Sequence, residues 1–209
     1  MASDPADHDA DDVLGIVLAG GASRRFGSPK ERALLAGRTL GERAVELLRS
    51  VTGRVGVVGG DTPPFREMDV PVRPDNRPGL GPVEGIATGL SWAEEEGCRG
   101  IVCTPCDTPL IPRALLAHLI ATARGTGAAC VLPSGQPACA YYDVRIRDSV
   151  TAFIDGGGRS LHALVEALPD RAILPEEELR RFGNPAAIFL NVNDRDTLSR
   201  AEQLLTVPE

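Results

Sequence analysis

The segment "VLGIVLAGGASRRFGSPK", Val13 to Lys30, sets an apolar run directly against a glycine-rich loop that carries three cations. Residues 13–19 read as a buried strand of a parallel sheet, because strands covered on both faces show a continuous apolar run rather than an alternating one. The loop that follows is of another kind. Gly20 and Gly21 have no Cβ, so a ligand can approach the backbone closely and successive N–H groups can turn toward an anion. Arg24, Arg25 and Lys30 add positive charge beside that backbone. The loop matches neither common phosphate-binding pattern. Gly-Lys-[Ser/Thr] is missing, with Pro29 before the lysine, and Gly20, Gly21 and Gly27 lack the dinucleotide spacing.

Outward from this segment, apolar runs alternate with helical periodicity along nearly the whole chain. Strands are expected at residues 13–19, 54–58, 70–73, 100–103, 128–132, 138–142 and 188–192, and helices at 39–50, 82–96, 112–124, 145–154, 160–168 and 194–205. Pro82 and Pro112 stand near helix position N1, and Asp194 suits an N-cap. Strand–helix alternation of this kind predicts an α/β fold with a doubly wound, mostly parallel sheet in a single domain. Asp155 to Ser160, "DGGGRS", is the most flexible internal stretch and joins two helices. In such sheets ligands bind beyond the carboxyl ends of the strands. Here those ends run into Gly20-Gly21, Gly59-Gly60-Asp61, Asp75, Cys106-Asp107-Thr108-Pro109, and Asn191 with Asn193, so one rim collects the polar and glycine residues.

Composition narrows the function. At 209 residues with 43% hydrophobic content, the chain fits one domain with a substantial core. The formal charge of −7 is concentrated: Asp4, Asp7, Asp9, Asp11 and Asp12 lie in the first twelve residues, leaving 24 acidic against 22 basic residues in the body. A nearly neutral body lacks the basic stripe of a general nucleic-acid surface. Residues 1–12 are expected to be an acidic disordered tail, with His8 among its aspartates, and 13–209 one folded domain. The opening shows no basic-then-apolar export signal, and no apolar run approaches the roughly 20 residues that span a bilayer, so a cytoplasmic protein with no membrane contact is expected. Five cysteines in such a chain are expected to be reduced thiols, with Cys103 and Cys106 at the end of a buried strand. Lys30 is the only lysine among 22 cationic side chains. A compact ammonium suits phosphate oxygens as a point charge, where a guanidinium presents a wide planar fork.

Two further motifs carry chemistry. "TPCDTPLIP", Thr104 to Pro112, places Asp107 at a strand end between Pro105, Pro109 and Pro112. An aspartate there can serve as a turn or cap residue, but a rigidly held hard oxygen donor also suits Mg²⁺ shared with nucleotide phosphates. "FLNVNDRD" sets Asn191 and Asn193 two apart, on one face if the segment is a strand. Their carboxamides could bind a ligand, orient water on a metal, or cap the next helix.

Taken in order, "LAGGASRRFGSPK", "GLGPVEGI" (Gly79 to Ile86), "PCDTPLIP" and "NVNDRDTL" resemble the successive motifs of the molybdenum cofactor guanylyltransferases and their MobA-like relatives, from about residue 13 to residue 205. The resemblance implies a Rossmann-like domain that binds GTP with Mg²⁺ and transfers GMP to the terminal phosphate of molybdenum-bound molybdopterin, releasing pyrophosphate. By matching position, Leu18, Ala19, Gly20 and Gly21 would hold the nucleotide, Lys30 and Arg25 would serve the triphosphate, and Asp75 would contribute to the nucleotide pocket. Asp107 would bind Mg²⁺ and GTP, and Asn191 and Asn193 would lie on the acceptor side. Molybdoenzymes or cofactor-synthesis proteins would be transient partners. The chain departs from the family at Phe26, at Glu31-Arg32 after the lysine, at Glu84 and at Gln136. Rival readings are a relative that uses CTP or another phosphorylated acceptor, and a non-catalytic nucleotide-binding module. The Ala19-Gly20-Gly21 sequence leans toward guanine by resemblance. The three histidines, His8, His118 and His162, lie outside all four motifs.

Overall fold

The structure is a computed structural model that describes residues 12–20, 30–59 and 63–206. Strand β1 (Val13–Leu18) comes first, then a 3₁₀ turn at Lys30–Arg32, a small hairpin of β2 (Leu34–Leu35) and β3 (Arg38–Thr39), and helix α1 (Leu40–Arg49). Next come β4 (Arg54–Val58), α2 (Pro63–Glu67), β5 (Val72–Arg73), α3 (Pro82–Glu95) and β6 (Gly100–Pro105). The second half contains α4 (Arg113–Thr126), β7 (Cys130–Pro133), β8 (Ala140–Asp143), α5 (Arg147–Asp155), α6 (Leu161–Ala167), β9 (Arg171–Leu174), α7 (Glu176–Leu179), α8 (Pro185–Ile188) and α9 (Arg195–Thr206).

The main sheet has seven strands in the order β5-β4-β1-β6-β8-β7-β9. Strand β8 runs antiparallel to both of its neighbours, and every other pairing in the sheet is parallel. From β1 the chain winds outward through β4 to β5, then returns to lay β6 on the opposite side of β1. The winding therefore reverses between β1 and β6, which makes their carboxyl ends the switch point where an open α/β sheet binds its ligand.

Alternation along β1 explains why both faces are covered. Val13 and Val17, with Val57 and Val102, pack against Leu40, Val45 and Leu48 of α1 and Leu115, Leu116 and Leu119 of α4. Leu14 and Ile16, with Val58 and Ile101, pack against Val83, Ile86 and Leu90 of α3 and against Val150, Ile154 and Leu164 of α5 and α6. Each such fully buried aliphatic side chain contributes about 1.5–3 kcal/mol. Gly56 is required by this packing: a Cβ there would lie 2.2 Å from the Trp92 ring, so the missing side chain is the seat of the chain's single tryptophan. The Arg73 guanidinium covers the same ring at 4.4 Å.

Most expected elements are present, several with the end chemistry that fixes them. Helix α1 opens on a capping box in which Glu42 N donates to Thr39 Oγ1 at 3.1 Å and Thr39 N donates to Glu42 Oε2 at 2.6 Å. The strand expected at 188–192 is absent. Asn184 caps α8, with Pro185 at its first turn, so Ile188 ends a helical turn and no β-ladder forms through Val192. Strand β9, the β2–β3 hairpin and helices α2 and α7 add to the expected set. Asp155 to Ser160 does join two helices, as expected, and Ser160 caps α6 by accepting from Ala163 N.

Candidate active site

Backbone hydrogen bonds draw the strand ends together. Ala19 N donates to Val58 O at 2.9 Å, Gly59 N to Arg73 O at 3.0 Å and Cys106 N to Leu18 O at 3.2 Å. Gly59 adopts φ +85°, and a Cβ there would stand 2.6 Å from Ala19 O. Only glycine allows the ends of β1 and β4 to approach so closely in that left-handed conformation.

Between these ends and the segment 74–81 lies a cleft of about 560 Å³, lined by Leu18, Ala19, Gly20, Gly59, Pro74, Asp75, Pro78, Gly79 and the first turn of α3. Its walls are mainly apolar side chains and bare backbone, which suits a flat base and a sugar. Burial raises the pKa of Asp75, the one carboxylate of that lining among the described residues. The amino end of α3 also faces the cleft through Pro82 and Gly85. The aligned peptide dipoles of that 14-residue helix favour negative charge at its amino end.

A smaller recess of about 140 Å³ adjoins the cleft, sharing Leu18, Gly20 and Pro82, and adds Lys30, Glu31, Pro105, Cys106, Asp107 and Ala138. The Lys30 ammonium donates to Asp107 Oδ2 at 2.9 Å and to Asn193 Oδ1 at 2.8 Å. Two residues, 77 and 163 positions from Lys30 in sequence, thus meet on its one ammonium. The loop bearing Asn193 is fastened where Val192, fully buried, donates its N–H to Asp107 O at 2.8 Å. Both side chains of the Lys30–Asp107 pair keep about a quarter or less of their surface exposed, at 21% and 25%.

The expected site residues therefore divide into groups. Leu18, Ala19, Gly20 and Asp75 line the larger cleft, and Lys30 and Asp107 line the recess, with Asn193 bound to Lys30. Asn191 is exposed in an irregular segment rather than on a strand face beside Asn193. Gly21 and Arg25 lie outside the described residues, as do Arg24, Gly60 and Asp61. Arg159 folds back on its own helix end, donating to Ile154 O at 2.8 Å and to Gly158 O at 2.7 Å.

Two features were not anticipated from sequence. Glu84, 1% exposed, accepts from Arg77 Nε at 3.1 Å, and Arg77 also donates to Asp155 Oδ1 at 2.5 Å. Burial raises the Glu84 pKa while Arg77 opposes that shift. The trio fastens the cleft wall at 74–81 to α3 and α5. A carboxylate in the first turn of a helix ordinarily reads as a solvated helix-start residue, so the sequence carried no sign of burial. The second feature is Glu31, 7% exposed, whose Oε2 is buried without a hydrogen-bond partner among the described residues.

All five cysteines are buried and none is in a disulfide among the described residues. Burial raises the Cys103 thiol to about 12 and pushes Cys106 higher still, which leaves both as inert packing groups. His118 sits away from the strand ends, paired with Glu178 at 3.1 Å.

The hard oxygen donors of Asp107 and Asn193, already gathered on one cation, fit a divalent ion such as Mg²⁺. Among the described residues, no helix is long and apolar enough to cross a membrane.

Comparison with known proteins agrees with this geometry. The family model of the MobA-like NTP transferase domain matches residues 15–172. A molybdenum cofactor guanylyltransferase from Cereibacter sphaeroides is 32% identical over 199 residues, covering 92% of this chain and 97% of its own. One from Acidiphilium cryptum is 31% identical over 206 residues, covering 94% and 97%. The crystal structure of molybdopterin-guanine dinucleotide biosynthesis protein A from Archaeoglobus fulgidus superposes with a TM-score of 0.77 at 26% identity, covering 93% of this chain and 99% of that one. On the family match and these near-full-length relatives, the chain belongs to the MobA-like NTP transferase family and is a nucleotidyltransferase.

Proposed function

We propose that the protein transfers GMP from GTP to the terminal phosphate of molybdenum-bound molybdopterin, releasing pyrophosphate, with Mg²⁺ as cofactor and residues 13–209 as one catalytic domain. One observation carries the reading: Lys30, Asp107 and Asn193 meet at the β1/β6 switch point of a chain whose near-full-length relatives are named for this reaction. The apolar cleft beside Leu18, Ala19, Gly20 and Asp75 would take guanosine, and Gly21 is proposed as a further nucleotide-binding residue. The amino end of α3 would face the phosphates. Lys30, joined by Arg25, would hold the triphosphate oxygens.

Asp107 would hold Mg²⁺, which when bound supplies Lewis-acid neutralisation of charge on the phosphates. The protein's task is then positioning and preorganised electrostatics. Asp107 and Asn193 hold Lys30 in the recess before any substrate arrives, within the site where the phosphates would lie. An acceptor phosphate is already ionised near neutral pH, so the absence of histidine from the motifs is no obstacle. Asn193, and Asn191 on the same loop, would face the acceptor. The free thiols support a cytoplasmic setting, and transient contact with molybdoenzymes or cofactor-synthesis proteins would hand the product on.

Pyrophosphate release measured with each of the four nucleoside triphosphates, Mg²⁺ and molybdenum cofactor is expected to occur with GTP alone. Preference for CTP would replace the assignment with the cytidylyl reaction, and no turnover with any triphosphate would favour a binding module.

A further inference from the structure

We infer that Glu31 is a second carboxylate ligand for the divalent cation of this site, sharing one ion with Asp107. The inference rests on the reading that Asp107 holds that cation. Glu31 stands in the 3₁₀ turn Lys30–Arg32, which Ala33 N closes by donating to Lys30 O at 2.9 Å. The residue is 7% exposed, and among the described residues Oε2 has no hydrogen-bond partner. A fold does not leave an ionised carboxylate oxygen dry without compensation, because the desolvation cost is large and nothing returns it. The same residue lines the small recess that also holds Lys30 and Asp107.

Charge and chemistry identify the missing partner. Among the described residues lining the recess, two carboxylates, Glu31 and Asp107, face one ammonium, Lys30. One negative charge is left over. A divalent cation would balance it, and the donors that would surround that cation, two carboxylates and the Asn193 carboxamide, are all hard oxygens. Lys30 now bridges Asp107 and Asn193, so it occupies the position of a cation and would be released toward phosphate oxygens when the ion enters. Glu31 supplies the additional negative charge that lets a doubly charged ion compete with that ammonium.

The test uses the full chain and Mn²⁺ alone, with free Mn²⁺ counted by electron paramagnetic resonance and no nucleotide present. Wild-type protein is expected to bind one Mn²⁺. Glu31→Gln keeps the shape and removes the charge. It is expected to bind at least about tenfold more weakly, with an unliganded melting temperature equal to or above wild type, since an uncompensated buried charge is gone. Added Mn²⁺ should raise the melting temperature of wild type and leave that of Glu31→Gln nearly unchanged. Glu31→Asp, which keeps the charge, should retain more of the affinity than Glu31→Gln. Wild-type affinity in Glu31→Gln together with loss in Asp107→Asn would overturn the role of Glu31 and leave Asp107 in place. Unchanged affinity in both variants, or no Mn²⁺ uptake by the wild type, would overturn the inference and the cation role of Asp107 together.

Discussion

Asp107→Ala is expected to lower pyrophosphate release from GTP by about 10³-fold or more while the fold survives. Preorganised groups that neutralise developing charge are worth about 10²–10³ in kcat each, and Asp107 anchors two of them. Its carboxylate would hold the cation, and it holds the Lys30 ammonium at 2.9 Å. The structural contribution of the same side chain is small. What ties this turn to the neighbouring loop is the backbone bond from Val192 N to Asp107 O, which alanine keeps. The ion pair is a quarter exposed on the Asp107 side, and exposed pairs contribute about 0–1 kcal/mol. For a domain of this size that is a shift of at most about 2–4 °C in melting temperature. Steady-state kinetics beside a thermal melt separates the two effects. Activity within tenfold of wild type would remove Asp107 from the site.

Removing the ammonium should be nearly as damaging. Lys30→Ala is expected to cost about 10²–10³ in kcat, by the same electrostatic reasoning. Lys30→Arg is expected not to restore it. The recess into which Lys30 projects is only about 140 Å³ and is walled by Pro105, Cys106 and Pro82, space for a point charge and not for a planar fork. In a chain that otherwise uses arginine for every cation, retention of one lysine at this position acquires a steric reason. Kinetics of Lys30→Arg within a few-fold of wild type would show that any cation suffices and would refute that reason.

The parts of the fold that were legible in the sequence are those where local and tertiary signals agree. The unbroken apolar run of β1 could be buried on both faces only in the middle of a sheet, and the Thr39/Glu42 capping box marks the start of α1 regardless of context. The rim of strand ends was legible for the same reason, since Gly20, Gly59, Asp75 and Asp107 each follow an apolar run.

The misread element shows where local reasoning stops. Residues 188–192 carry strand-like apolar content, but Val192 is buried by a loop that packs it and spends one backbone donor on Asp107 O. Such an anchor has no local signature. Asn193 reaches Lys30 by that loop rather than by the pleat of a strand. Glu31 and Glu84 stood in the sequence as unusual residues within familiar motifs. That they are buried depends on what packs over them, which is tertiary information.

The most direct measurement follows the fate of two labels on GTP with molybdenum cofactor as acceptor. Label at the α-phosphate is expected to appear in the molybdopterin product, and label at the γ-phosphate in pyrophosphate, both only when the acceptor is present. γ-Label recovered as orthophosphate or on the acceptor, or α-label that never reaches molybdopterin, would contradict nucleotidyl transfer at this site.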